Sequence, residues 1–126
     1  MTYPIRVLAV DDDKLFRMDL SLVLGREGYL VDTASSCGEA RELLSARRYE
    51  VVLTDLGLPD DSGLEVLRCV KLLAPSTRVI LITGSSTGVS GEQAREAGAE
   101  ALILKPCPMQ ELLREVRRAA TEEARQ

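Results

Sequence analysis

Five short runs of apolar residues recur along the chain, and helical spacing fills the gaps between them. The runs are Ile5–Val10, Leu30–Ala34, Val51–Leu53, Val79–Ile82 and Ala101–Leu104. Continuous apolar runs this short, rich in Val and Ile, mark strands buried on both faces, and such strands need cover on both sides of a sheet. The gaps supply that cover. Leu15, Phe16, Leu20, Val23 and Leu24 form one helical stripe, and Ala40, Leu43 and Leu44 mark a second within Glu39–Arg47. Leu64, Leu67, Val70 and Leu73 form a third, and Met109, Leu112, Leu113, Val116 and Ala120 the last. This alternation predicts an α/β fold, a single doubly wound parallel sheet of five strands flanked by five helices.

Local signals set the expected boundaries. Asp13 suits a helix amino-terminal cap and Gly28 a stop, while Pro75 ends the third helix. Asp32 and Thr33 interrupt the second run, as suits an edge strand. The fourth helix is expected over Ser85–Ala97 and should be the least stable, because Gly88 and Gly91 each weaken a helix by about 1 kcal/mol relative to alanine. At 126 residues the chain reads as one domain with a core over about 5–120, and the polar stretch 121–126 is expected to fray or begin a linker.

Composition excludes several classes. The longest apolar runs are too short to span a bilayer, and MTYPIRVLAV lacks the basic and apolar regions of a secretory leader. Cys37, Cys69 and Cys107 are odd in number and not in CxxC spacing, so a reduced, cytoplasmic chain without membrane association is expected. Cys37 and Cys69 read as small buried hydrophobes, and Cys107 falls near the strand ends discussed next. A net charge of −4 argues against direct nucleic-acid binding by this chain. There is no histidine.

Chemistry concentrates where the strands end. The first run stops at Asp11–Asp12–Asp13, the third at Thr54–Asp55, the fourth at Thr83–Gly84 and the fifth at Lys105–Pro106. In open α/β sheets, ligands collect outside these carboxyl ends. Carboxylates crowded into one crevice repel each other unless a cation neutralises them. Oxygen donors without histidine or cysteine favour a hard ion, and Mg²⁺ takes one or two carboxylates while reaching substrate phosphate. Lysine and a hydroxyl opposite such an ion suit the remaining oxygens of a phosphoryl group, and Gly84 leaves room beside it. The set could move a phosphoryl group onto a carboxylate. Taken singly, each feature has a plainer explanation. Asp11–Asp13 could be a solvated capping turn, Thr83 a strand threonine and Lys105 a surface lysine. Asp13 is assigned to the cap, and Asp60 and Asp61 to the turn beyond Pro59.

Four segments in order, VLAVDDD, VVLTDLGLPDDSG, VILITG and AGAEALILKP, resemble the receiver domain of response regulators in two-component signalling. The resemblance covers about Ile5 to Ala120. It implies a flavodoxin-like fold with strand order 2-1-3-4-5. It makes Asp55 the phosphoryl acceptor, fed by a sensor histidine kinase or a histidine phosphotransfer protein in a bacterial phosphorelay. Asp11 and Asp12, with Asp55 and the backbone carbonyl of Gly57, would hold Mg²⁺. Thr83 would bond the phosphoryl oxygens and Lys105 would pair with them, the Lys105–Pro106 bond being cis. The chain would act as a switch rather than an enzyme, its only reactions being Mg²⁺-dependent self-phosphorylation and self-dephosphorylation. Its output surface would comprise the fourth helix, fifth strand and fifth helix, binding an unidentified output protein or domain or supporting a phosphorylation-dependent homodimer.

The chain departs from the family at four positions. Leu102 stands where the family has a switching Tyr or Phe, and Cys107 where it often has Phe. Gly57 and Ser85 occupy the places that tune hydrolysis, and with little side chain there a long-lived phosphoryl state is expected. Two other readings compete: a receiver-like scaffold that is never phosphorylated, and an aspartate-nucleophile phosphohydrolase, whose D-x-D-x-[TV] motif Asp11–Leu15 fits loosely.

Overall fold

The computed structural model describes residues 4–84 and 88–125. In chain order it contains β1 (Arg6–Val10), α1 (Lys14–Arg26), β2 (Leu30–Ala34), α2 (Cys37–Ala46) and β3 (Val51–Asp55). There follow α3 (Gly63–Leu73), β4 (Arg78–Thr83), α4 (Gly91–Glu96), β5 (Ala101–Leu104) and α5 (Met109–Arg125). The strands form one parallel sheet in the order β2-β1-β3-β4-β5, so the doubly wound architecture and its strand order are both as expected.

Alternation along the strands explains the two layers. Leu8, Val10, Val52, Val79 and Leu81 point to the face covered by α2, α3 and α4. Val7, Ala9, Val51, Leu53, Ile80 and Ile82 point to the face covered by α1 and α5. Successive strand side chains emerge on opposite faces, so β1, β3 and β4 carry unbroken apolar runs at Val7–Val10, Val51–Leu53 and Val79–Ile82. β2 lies at one edge, where Asp32 accepts hydrogen bonds from Tyr49 Oη at 2.6 Å and from Arg47.

The helix boundaries differ from expectation in three places. Of the stretch Ser85–Ala97 expected as the fourth helix, 85–87 lie outside the described residues, and the described part is helical only over Gly91–Glu96. Gly88 adopts φ 72°, which is not helical, and a capping box between Ser90 and Gln93 starts the helix at Gly91. Gly88 therefore lies outside the helix that it was expected to weaken. The second helix begins at Cys37, two residues early, because Ser36 caps it. At the other end of the chain, α5 continues to Arg125, so 121–125, expected to fray, has helical backbone.

Candidate functional site

Backbone ladders that overrun the strands bring the polar ends together. Asp11 N donates to Ala34 O at 3.0 Å, Leu56 N to Ile82 O at 2.9 Å and Lys105 N to Thr83 O at 2.7 Å. The residues just past β1, β3 and β5 are thereby each tied by a backbone hydrogen bond to a neighbouring strand.

One crevice results. Asp11, Asp12 and Asp55 each present a carboxylate oxygen within 4.8 Å of the others. Asp11 and Asp55 are buried, with Asp55 the less enclosed of the two, and Asp12 is exposed, so the trio opens to solvent on the Asp12 side. Lys105 Nζ reaches in from just past β5 to Asp11 Oδ2 at 2.6 Å and Asp55 Oδ2 at 3.2 Å. The other Asp55 oxygen accepts from Gly57 N at 3.2 Å, and Asp11 Oδ1 accepts from Asp13 N at 2.9 Å. The cis Lys105–Pro106 bond is present as expected.

Burial sets the electrostatics. It pushes the Asp55 carboxyl above its ordinary range; the Gly57 N–H opposes this, Asp11 adds to it and Lys105 opposes it. Burial alone would pull the Lys105 ammonium down, but Asp11 and then Asp55 more than compensate, and it stays protonated with a raised pKa. Three carboxylates against one ammonium leave two formal negative charges, which a divalent cation would balance. The donor set is all oxygen, with one exposed carboxylate at the mouth, and fits Mg²⁺.

The other expected residues lie around this centre. Thr83 ends β4 fully buried, its hydroxyl donating to Gly84 O at 2.9 Å. Leu102 sits on β5 opposite Leu81, half-buried against the layer beneath α4. Gly57 bridges to Ser62 across the loop that follows β3. Ser85, expected to act with Gly57 on the lifetime of the phosphoryl group, lies outside the described residues. Asp13 is the cap of α1, accepting from Leu15 N and Phe16 N. Cys37 is fully buried, burial pushing its thiol up to about 11, while Cys69 is half-buried against the same layer.

Three contacts have no counterpart in the sequence reading. Asp60 does more than turn the chain, since its two oxygens accept from Cys37 N and Gly38 N, both at 2.9 Å. Arg17 Nη1 donates to the Asp11 carbonyl at 2.7 Å. The Phe16 ring faces Lys105 Nζ, 4.5 Å from the centroid. Phe16 belongs to the first helical stripe and Arg17 follows it, but which strand end that helix leans over depends on its packing.

The response regulator receiver domain family matches residues 7–117. The alginate biosynthesis transcriptional regulatory protein AlgB of Pseudomonas aeruginosa is 36% identical over 107 residues, covering 85% of this chain and 24% of AlgB. This chain thus spans about a quarter of that relative's length. A CheY-like receiver domain protein of Methanospirillum hungatei superposes with a TM-score of 0.91 at 30% identity, covering 98% of each chain. A response regulator of Burkholderia pseudomallei, solved with a phosphorylated aspartic acid, a calcium ion and citrate, superposes at 0.82 with 31% identity over 94% of this chain and 69% of its own. Shared architecture, ordered motifs and a family match over most of the length make this chain a member of the response regulator receiver domain family of two-component signalling.

Proposed function

We propose that the chain is a switch set by a phosphoryl group on Asp55. One observation carries the reading: Asp55 ends a buried strand with Lys105 on one oxygen and Gly57 N–H on the other, inside an acidic trio. That arrangement orients a carboxylate and compensates its charge, and phosphoryl transfer asks for little beyond orientation and charge compensation. The relative solved with a phosphorylated aspartic acid and a calcium ion is consistent with this chemistry.

In the proposed reaction an Asp55 oxygen bonds to phosphorus as the bond from phosphorus to the donor breaks. With phosphohistidine as donor the imidazole leaves and takes a proton, and with an acyl phosphate a carboxylate leaves. These 126 residues contain no histidine, so the group comes from a phosphohistidine outside them or from a small molecule. Asp11, Asp12, Asp55 and the Gly57 carbonyl would hold Mg²⁺, which when bound offsets negative charge on the phosphoryl oxygens. Lys105 moves from its carboxylates to a phosphoryl oxygen. The Thr83 hydroxyl exchanges the Gly84 carbonyl for a phosphoryl oxygen and so couples β4 to occupancy of the site. The output would follow at α4, β5 and α5, where a groove of about 430 Å³ lies between Leu102–Leu104 and Glu111, Arg114 and Glu115 of α5. Leu104, 62% exposed, suits a partner surface there.

Intact-mass spectrometry tests the reading after incubation with Mg²⁺ and a small acyl phosphate. Wild type should gain one phosphoryl group, absent without Mg²⁺ and absent in Asp55→Asn. Uptake by Asp55→Asn at the wild-type level would move the acceptor elsewhere. A wild type that neither reacts nor binds beryllofluoride would favour the scaffold.

A further inference from the structure

The chain has a single phenylalanine, and it stands at this crevice. Phe16 is half-buried on α1, packed with the layer that includes Leu20, Leu112 and Val116, so its ring is placed by the core rather than by the site. Its face lies 4.5 Å from Lys105 Nζ. The lysine side chain is 26% exposed, and its other contacts there are Asp11 Oδ2 and Asp55 Oδ2.

Both of those carboxylates are drawn into the proposed chemistry. Once Asp55 carries a phosphoryl group its oxygen belongs to an acyl phosphate, and Asp11 belongs to the trio suited to a divalent cation. The ammonium ends a four-carbon stem and is strongly hydrated, so loss of both partners would favour its departure to water. The ring is the contact that neither event removes. A ring face attracts an ammonium through its quadrupole and leaves the N–H donors free for a phosphoryl oxygen.

We propose that Phe16 is a positioning residue for phosphoryl transfer: its ring face holds the Lys105 ammonium in the crevice while the carboxylate partners change. This rests on Asp55 being the acceptor. A merely space-filling role is the competing explanation, and it predicts that leucine or methionine would serve equally well.

The test compares wild type with Phe16→Leu, Phe16→Met and Phe16→Tyr. In metal-free protein, NMR of labelled lysine should show the Lys105 Hε protons shifted upfield by the ring in wild type and Phe16→Tyr, and unshifted in the two aliphatic variants. Phosphoryl uptake from a small acyl phosphate at saturating Mg²⁺ should slow by about five- to ten-fold in Phe16→Leu and Phe16→Met, as expected for loss of a partly buried cation–π contact. Phe16→Tyr should restore it. Two aliphatic variants guard against one failing to fold. Wild-type rates in either, or a Phe16→Tyr as slow as they are, would overturn the proposal. If wild type itself takes up no phosphoryl group, Asp55 falls as the acceptor and the role of Phe16 falls with it. If wild type and the aliphatic variants react alike, the Phe16 proposal alone fails.

Discussion

Gly63 stands where the backbone comes closest to the acceptor. A Cβ built on it would lie 2.1 Å from the Asp55 carbonyl oxygen and 3.0 Å from Leu56 Cα. The first turn of α3 therefore packs directly on the backbone of the strand end, with Gly63 N donating to Leu56 O at 2.9 Å. No side chain fits without moving one of the two. Gly63→Ala should destabilise the protein by about 2–3 kcal/mol, read as a lower urea midpoint at unchanged slope. Phosphoryl uptake should fall as well, because the displaced backbone is that of Asp55. A midpoint equal to wild type would show that the strand end is softer than its packing implies.

The loop between β3 and α3 is tied to α2, and this tie gives Asp60 its importance. Cys37 N and Gly38 N donate to its carboxylate, Glu39 N donates to Ser36 Oγ and Ala40 N to Ser36 O. Every amide of the first turn of α2 is satisfied, two of them from another segment of the chain. The two Cys37 and Gly38 N–H donors hold the Asp60 carboxyl below its ordinary range. A depressed carboxyl stabilises the fold above its unfolded value of about 3.9 and loses that contribution as pH falls through the folded value. Asp60→Asn should thus melt below wild type at neutral pH, and the gap should close below about pH 4. Thermal melts of both proteins at pH 7 and pH 3 check this, and a gap independent of pH would assign the effect to shape rather than charge. α4 is the opposite case. It is six residues long, starts on its own capping box and buries Ala94 as its only core residue, so its packing resists rearrangement least.

The two layers either side of the sheet create a central cleft whose charges are not balanced from within. Folding places Asp11, Asp12 and Asp55 within 4.8 Å of one another, with one lysine against them. A ligand that binds only the folded protein stabilises it by mass action, by about 2.7 kcal/mol at a hundredfold excess over Kd. Mg²⁺ at that excess should raise Tm by about 10 °C, and chelation should reverse the rise. Asp12→Asn removes the exposed carboxylate without touching either Lys105 ion pair, so it should lose most of the rise while folding normally. An equal rise in both proteins would mean a general salt effect and no site. Among the described residues no helix is long and apolar enough to cross a membrane.

Strand identity, helix faces and the roster of polar strand ends were legible in the sequence, because each follows from local periodicity. Apolar runs such as Val51–Leu53 leave a strand little alternative to full burial, and Asp55 then falls at a carboxyl end by position alone. The caps at Asp13 and the stop before Pro75 are likewise local. Partners distant in sequence were not legible. The 2.1 Å approach at Gly63, the ring of Phe16 over Lys105 and the reach of Asp60 to Cys37 join residues that only packed layers bring together. The fourth helix shows the same division: its glycines were visible, but whether each lay inside a helix depended on the φ 72° of Gly88 and the box closed by Ser90 and Gln93. Sequence determined which groups stand at the sheet's edge, since hydrophobic period is a property of neighbours. Tertiary structure decided which of them touch, since crossing angles and helix placement are set by the whole core.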